Sequence, residues 1–222
     1  MYQIAPTPAV LPRELTDRAL LVEPATLGHA VDRGFTTGIH AVTRANRFAG
    51  TALTVRLAPM DGTALHHAAD EVQPGHVVVI DMGEDRDRAS VGAMVAFVIA
   101  LRGAAGVVVD GMATDIAELE ATGMPVFSRG LSSKTTRLLG LGGDVNLPVA
   151  VSGETVRPGD LVIADANGIV FISPHRFENL YQDCIDFQTV EEPARKELSQ
   201  GVRLSDKFGA AEHIKRSATF LS

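Results

Sequence analysis

The stretch Gly106-Val-Val-Val-Asp-Gly-Met-Ala-Thr-Asp-Ile-Ala-Glu-Leu119, GVVVDGMATDIAEL, decides the reading of this chain. Its first five residues form a short continuous apolar run of the kind found in strands covered on both faces. A glycine turn follows, and the segment Thr114–Thr122 then takes helical periodicity and opens with an acid. The same order occurs one unit earlier. His76–Met82, HVVVIDM, reads as a strand, and after the charged loop GEDRDRAS the run Val91–Arg102, VGAMVAFVIALR, is apolar around most of a helix. Strand, helix, strand, helix at this spacing predicts βαβ units and a sheet that is at least partly parallel.

Working outward, Ala49–Ala58 reads as a further strand leading through Asp61-Gly62 into a helix over Thr63–Val72. Shorter helical patterns cover Arg13–Leu21 and Pro24–Arg33, and Pro125–Arg129 gives another strand. Residues 1–12 hold three prolines and read as an extended arm. Beyond the glycine-rich connection Leu138–Asn146 the character changes. Pro148–Ser152, Glu154–Val156, Leu161–Ala164 and Ile169–Ile172 are short strands separated by Ser152-Gly153, Pro158-Gly159-Asp160 and Asn167-Gly168, which predicts a module of β-hairpins. From His175 to about Gln200 the pattern is charged and helical, a tail expected to lie over a neighbouring element or another subunit.

Composition bounds the function. The 222 residues, 45% hydrophobic and 21% charged, can bury a substantial core, and we expect a single domain over 1–222. A net charge of −7 supplies no positive field toward phosphate backbones or anionic membranes, so neither nucleic acid nor membrane is expected as a direct partner. The single cysteine, Cys184, cannot form an internal disulfide and reads as a structural thiol. With no leader-like start, MYQIAPTPAVLPREL points to a cytoplasmic protein.

Motif by motif, most chemistries are disfavoured. No HExxH, CxxC, GxSxG or Walker A pattern occurs. His66 and His67 are adjacent on a helix and point about 100° apart, a poor geometry for one metal. Leu139-Gly-Leu-Gly-Gly-Asp144 has the glycines of a phosphate-binding loop but precedes a hairpin instead of opening a helix. The run Glu84-Asp-Arg-Asp-Arg88 reads as a solvated loop.

The two strand-to-helix junctions are better placed. Helix N-termini offer unpaired N–H groups and partial positive charge, so the junctions at Ala89–Met94 and Gly111–Asp115 can together hold an anion and a cation-binding carboxylate. Asp115 is the candidate ligand for a hard divalent ion, which often takes only one or two protein carboxylates. The competing role is a helix-capping acid with no part in chemistry.

At these residues the sequence resembles the RraA-like family, which contains the regulators of ribonuclease activity A and metal-dependent 4-hydroxy-4-methyl-2-oxoglutarate aldolases. The segments PGHVVVIDM, VGAMVAFVIALRGAAGVVVDGMATDIAELEATGMPVFSRG and VNLPVAVSGETVRPGDLVIADANGIVFIS carry the resemblance over roughly residues 48–174. It implies an α/β fold like the swivelling phosphohistidine domain, with a central mixed sheet and flanking helices. It also implies homotrimers or homohexamers with sites between subunits. The chemistry implied is retro-aldol cleavage of a 4-hydroxy-2-oxo acid to pyruvate, often with oxaloacetate decarboxylation, assisted by Mg²⁺ or Mn²⁺ chelated to the 2-oxo acid.

The family's enzymes carry an acid, twenty intervening residues, then Arg-Asp. The final Asp, a metal ligand, falls on Asp115. The substrate-binding Arg falls on Thr114 and the upstream acid on Ala93. Threonine cannot supply the fixed positive fork of an arginine. The resemblance therefore implies a lyase with an altered site, in which the amides of Gly92, Ala93 and Met94 remain for a substrate carboxylate. Arg86, Arg88 or Arg129 is the candidate replacement cation, and Glu191 or Glu192 the C-terminal acid. Two alternatives stand beside it: a non-catalytic, protein-binding regulator, and a family member recruited to a different small molecule.

Overall fold

A computed structural model of the chain describes residues 1–218. It divides into two compact units, Met1–Tyr181 and the part from Gln182 onward. In chain order the first unit contains β1 (Tyr2–Ile4), α1 (Arg13–Ala19), α2 (Pro24–Leu27), β2 (His40–Ala41), β3 (Phe48–Leu57), α3 (Thr63–Glu71) and β4 (His76–Asp81). It continues with β5 (Ala89–Val91), α4 (Ala93–Leu101), β6 (Gly106–Asp110), β7 (Met112–Ala113), α5 (Ile116–Ala121), β8 (Val126–Ser128) and β9 (Gly130–Leu131). Next come β10 (Gly143–Val145), β11 (Val149–Val151), β12 (Glu154–Val156), β13 (Leu161–Asp165) and β14 (Gly168–Ile172). The helix α6 (Pro174–Thr189) carries the chain across the boundary, and α7 (Glu191–Ser199), α8 (Leu204–Lys207) and α9 (Ala210–Ser217) follow.

The apolar runs form the centre of a nine-stranded mixed sheet in which β3, β4, β6 and β8 are parallel neighbours. Alternate residues of β4 leave opposite faces. Val78 and Ile80 pack with Leu65 of α3, Ile99 of α4 and Leu119 of α5, while Val77 and Val79 pack with Val151, Val156 and Phe171. Both faces are therefore buried, which is why the run shows no polar alternation. Helices cover one face and hairpins the other.

That second covering corrects the expected hairpin module. β11 and β12 pair only with each other, but β13 joins the main sheet, antiparallel to the first half of β3, while β10 takes the second half of the same edge. The ten-residue β3 thus serves three neighbours. The mixed sheet with flanking helices is present as expected. The helix expected over Pro24–Arg33 is limited to Pro24–Leu27, and the third expected helix starts at Ile116 instead of Thr114.

The first residues run extended along the sheet edge. β1 pairs parallel with β10, the Leu11 N–H donates to the Thr51 hydroxyl at 2.8 Å, and buried His76 holds the Pro8 carbonyl through Nε2 at 3.0 Å. Beyond the boundary Cys184 is buried, and burial lifts its thiol above the ordinary value, in keeping with a structural thiol. Among the described residues no helix is long and apolar enough to cross a membrane.

Candidate functional site at the strand-to-helix junctions

Beyond the ends of β4, β6 and β8 the chain makes a small second sheet of three parallel strands, β5, β7 and β9. It brings the two junctions together. The Thr114 N–H donates to the Val91 carbonyl at 2.9 Å, so the turn before α5 is laid against the turn before α4.

Asp115 occupies the left-handed region, at φ 56° and ψ 49°. That conformation is tolerated by Asp better than by most residues, and it turns the carboxylate away from its own helix. Asp115 makes no side-chain cap on α5. Its Oδ2 instead accepts the Ala93 N–H at 2.8 Å, at the first residue of α4, and its Oδ1 accepts the Thr114 hydroxyl at 3.2 Å. The acid caps its neighbour, placing a negative charge at the positive end of that helix.

Gly92 makes this approach possible. A Cβ there would lie 2.6 Å from Asp115 Oδ2 and 2.9 Å from Thr114 Cγ2. Asp115 and Met94 are exposed, and Thr114, Ala93 and Gly92 are half-buried, so the junction opens to solvent. Helix geometry leaves the N–H groups of Met94 and Val95 without intrahelical acceptors. The Ala96 N–H is the first to bond back, to the Gly92 carbonyl at 3.0 Å.

The arginines considered as substitutes for the missing fork are engaged elsewhere. Arg129 pairs with Oδ1 of buried Asp110, and Arg86 reaches Oδ2 of the same carboxylate at 3.7 Å. Arg88 pairs with Asp85 at 3.0 Å and donates to the Thr135 carbonyl at 3.2 Å. Glu191 and Glu192 both pair with Arg195, at 2.9 and 3.4 Å. His66 and His67 are exposed on α3.

Sequence reasoning missed a carboxylate pair with an architectural role. Asp81 and Asp110 are register partners at the ends of β4 and β6, and they accept the N–H groups of Ala150 in β11 and of Ser152 just after it, at 3.2 and 2.7 Å. They dock the hairpin onto the sheet. The signal was available, since both apolar runs end in Asp at the same strand position. Asp61 was also missed. It receives the N–H groups of Leu139, Leu141 and Thr63 at 3.0, 2.6 and 2.9 Å, together with the Thr63 hydroxyl. The glycine loop that resembles a phosphate-binding loop thus wraps an internal carboxylate. Burial raises Asp61, but these donors outweigh it and hold its carboxyl far below the ordinary value.

As a cation site the junction offers one carboxylate. Among the described residues no cluster of three His, Cys, Asp or Glu side chains could hold a metal ion. A lone exposed carboxylate fits a hard ion that keeps water and substrate oxygens as its other ligands, and does not fit an all-protein cage.

Residues 18–171 match the model of the RraA-like family, described as Aldolase/RraA. The chain is 34% identical over 167 residues to a Halalkalibacterium halodurans protein provisionally named 4-hydroxy-4-methyl-2-oxoglutarate aldolase, covering 75% of this chain and 79% of that one. It is also similar to the crystal structure of Streptomyces coelicolor RraAS2, described as an unusual member of the RNase ES inhibitor RraA protein family. There the TM-score is 0.74 at 27% identity, covering 83% of this chain and 97% of that one. An uncharacterised protein from Pseudomonas syringae shares the fold at TM-score 0.77 and 24% identity, over 93% of this chain and 98% of that one.

Proposed function

The chain belongs to the RraA-like family, and from that premise we propose that it is a divalent-metal-dependent carbon–carbon lyase, of the aldolase or decarboxylase type, acting on a 2-oxo acid through an altered site. The observation that carries this reading is the exposed Asp115 carboxylate held at the open N-terminus of α4. It provides an anionic ligand beside amides suited to an anionic substrate. Asp115 would hold a Mg²⁺ or Mn²⁺ ion, which would supply Lewis-acid stabilisation of charge on the 2-oxo oxygen.

The chain's own residues then divide the remaining work. The N–H groups of Met94 and Val95, which lack intrahelical acceptors, would receive a substrate carboxylate. The Ala93 N–H and the Thr114 hydroxyl keep Asp115 in one orientation. With Thr114 and Ala93 where the aldolases carry Arg and an acid, the site loses one positive and one negative side chain together. Its charge balance is kept, with more room and less grip on a dianion. A 2-oxo acid with a larger or less anionic far end than the aldolase substrate fits that change.

The subunit arrangement belongs to the same reading. Met94, Phe97 and Leu101 on α4 are 72%, 56% and 74% exposed around an open groove of about 540 Å³ between α4 and α5. Apolar surface of this kind beside a site is what a homotrimer or homohexamer buries.

The experiment is direct. Purified protein with Mg²⁺ or Mn²⁺ is assayed for pyruvate released from oxaloacetate and from 4-hydroxy-4-methyl-2-oxoglutarate. Metal-dependent release that disappears in Asp115→Ala supports the reading, and no release with either ion from either acid defeats it.

A further inference from the structure

We propose that the cleft between the 33–34 loop, β12 and the start of α6 is a second binding site, for a small hydroxyl-bearing phosphate monoester. The cleft encloses about 300 Å³, and Arg33, Arg157, Arg176, Glu154, Asp160 and Ser173 are among its lining residues. It shares no lining residue with the groove beside the Asp115 junction.

Each arginine arrives on a separately anchored segment. The Gly34 carbonyl accepts the Phe171 N–H at 2.8 Å, and Gly34 has φ +97°. A Cβ there would run into the Phe171 carbonyl, so only glycine lets this loop lie on β14 and bring Arg33 to the rim. The turn after β12 is closed by the Arg157 N–H donating to the Asp160 carboxylate at 2.8 Å. Ser173 Oγ accepts the Arg176 N–H at 3.4 Å where α6 begins.

Among the described residues Arg33 and Arg176 are in no ion pair, while burial raises the Asp160 carboxyl more than Arg157 lowers it. Arg56, Arg86, Arg88 and Arg129, by contrast, each enter an ion pair. Guanidinium forks match phosphate oxygens in pairs. Three arginines and two acids, Glu154 and Asp160, are among the lining residues. That balance suits one phosphate group and disfavours a polyphosphate. The two carboxylates are acceptors only, so the part of the ligand beside them must donate, as hydroxyl groups do.

The test is titration calorimetry on the full chain with glucose 6-phosphate and with inorganic phosphate. Saturable millimolar or tighter binding of the ester is expected, stronger than that of inorganic phosphate. It should weaken at least about tenfold in Arg176→Gln and again in Arg157→Gln/Arg176→Gln. Asp115→Ala should leave it unchanged, which separates this site from the proposed lyase site. The variants' thermal midpoints without ligand must match the parent, since the three side chains are exposed. No saturable binding of either compound, binding indifferent to the double substitution, or inorganic phosphate binding as well as the ester overturns the proposal.

Discussion

The Asp115 carboxylate accepts the Ala93 backbone N–H at 2.8 Å, across the boundary between two βα units. One acid therefore does two things: it fixes the first turn of α4, and it presents its remaining lone pairs to solvent. The two roles are separable by substitution. Asp115→Asn keeps an acceptor for the Ala93 N–H and loses the charge, while Asp115→Ala loses both. Asp115→Ala should cost about 1 kcal/mol, a melting shift of about 2–4 °C, and Asp115→Asn clearly less. Both should lose metal-dependent pyruvate release. Calorimetry and the enzyme assay on the same preparations check this, and equal destabilisation by the two variants would contradict the cap.

Gly92→Ala should displace Asp115, because the new methyl group would stand 2.6 Å from its Oδ2. We expect a loss of about 1–3 kcal/mol from the forced shift. Activity should fall with it, and an Asp115→Ala background should relieve part of the cost. A double-mutant cycle by urea unfolding measures that coupling, and purely additive effects would count against it.

Thr114→Arg returns the missing fork to the aldolase pattern. The Thr114 N–H bond to Val91 is made by the backbone and survives the change. Oxaloacetate decarboxylation should rise by about 10²-fold, and further when Ala93→Asp is added. Steady-state kinetics with Mg²⁺ decides this. A rate unchanged in both variants would show that the junction is not where the 2-oxo acid binds.

Asp61 makes stability acid-sensitive. Its carboxyl is held below the ordinary value of 3.8, so its contribution is fully present above that pH and is lost as pH falls further, when the folded chain too must take up the proton. Asp61→Ala leaves the Leu139, Leu141 and Thr63 donors without their acceptor and should cost about 3 kcal/mol at pH 7. Denaturation midpoints between pH 7 and pH 2 should fall less steeply for Asp61→Asn than for the parent.

His76 acts at milder pH. Burial lowers its pKa from the ordinary 6.5, although its bond to the Pro8 carbonyl works the other way. The folded ring stays neutral, with Nδ1 accepting the Gln73 N–H at 3.1 Å and Nε2 donating to Pro8. As pH drops below 6.5 the unfolded chain takes up a proton that the folded chain refuses, so stability declines. His76→Phe should flatten this dependence between pH 7 and pH 5. It should also speed hydrogen exchange along residues 1–12.

The central strands and their helices were legible because burial on both faces leaves an unmistakable apolar run, as in HVVVID and GVVVD, and because a helix as apolar as α4 must be covered. The small second sheet was not. β5, β7 and β9 are two or three residues long, too short for any periodicity to show. The destination of β13 was equally hidden, since a hairpin strand looks the same whether it pairs with its partner alone or also with β3. Asp61 and the glycine loop appeared as two unrelated features, because only folding brings residues 78 and 80 positions apart into contact.

The sequence by itself determined the βαβ order, the family, and the position of Asp115 in place of an Arg-Asp pair, because each depends on residues close along the chain. Tertiary structure alone decided what that acid touches. A first-turn Asp is expected to cap its own helix, yet the left-handed backbone at Asp115 and the bare Cα of Gly92 deliver its carboxylate to the helix of the preceding unit. Which helix receives a charge is set by the packing of one turn against another, and that information is not local.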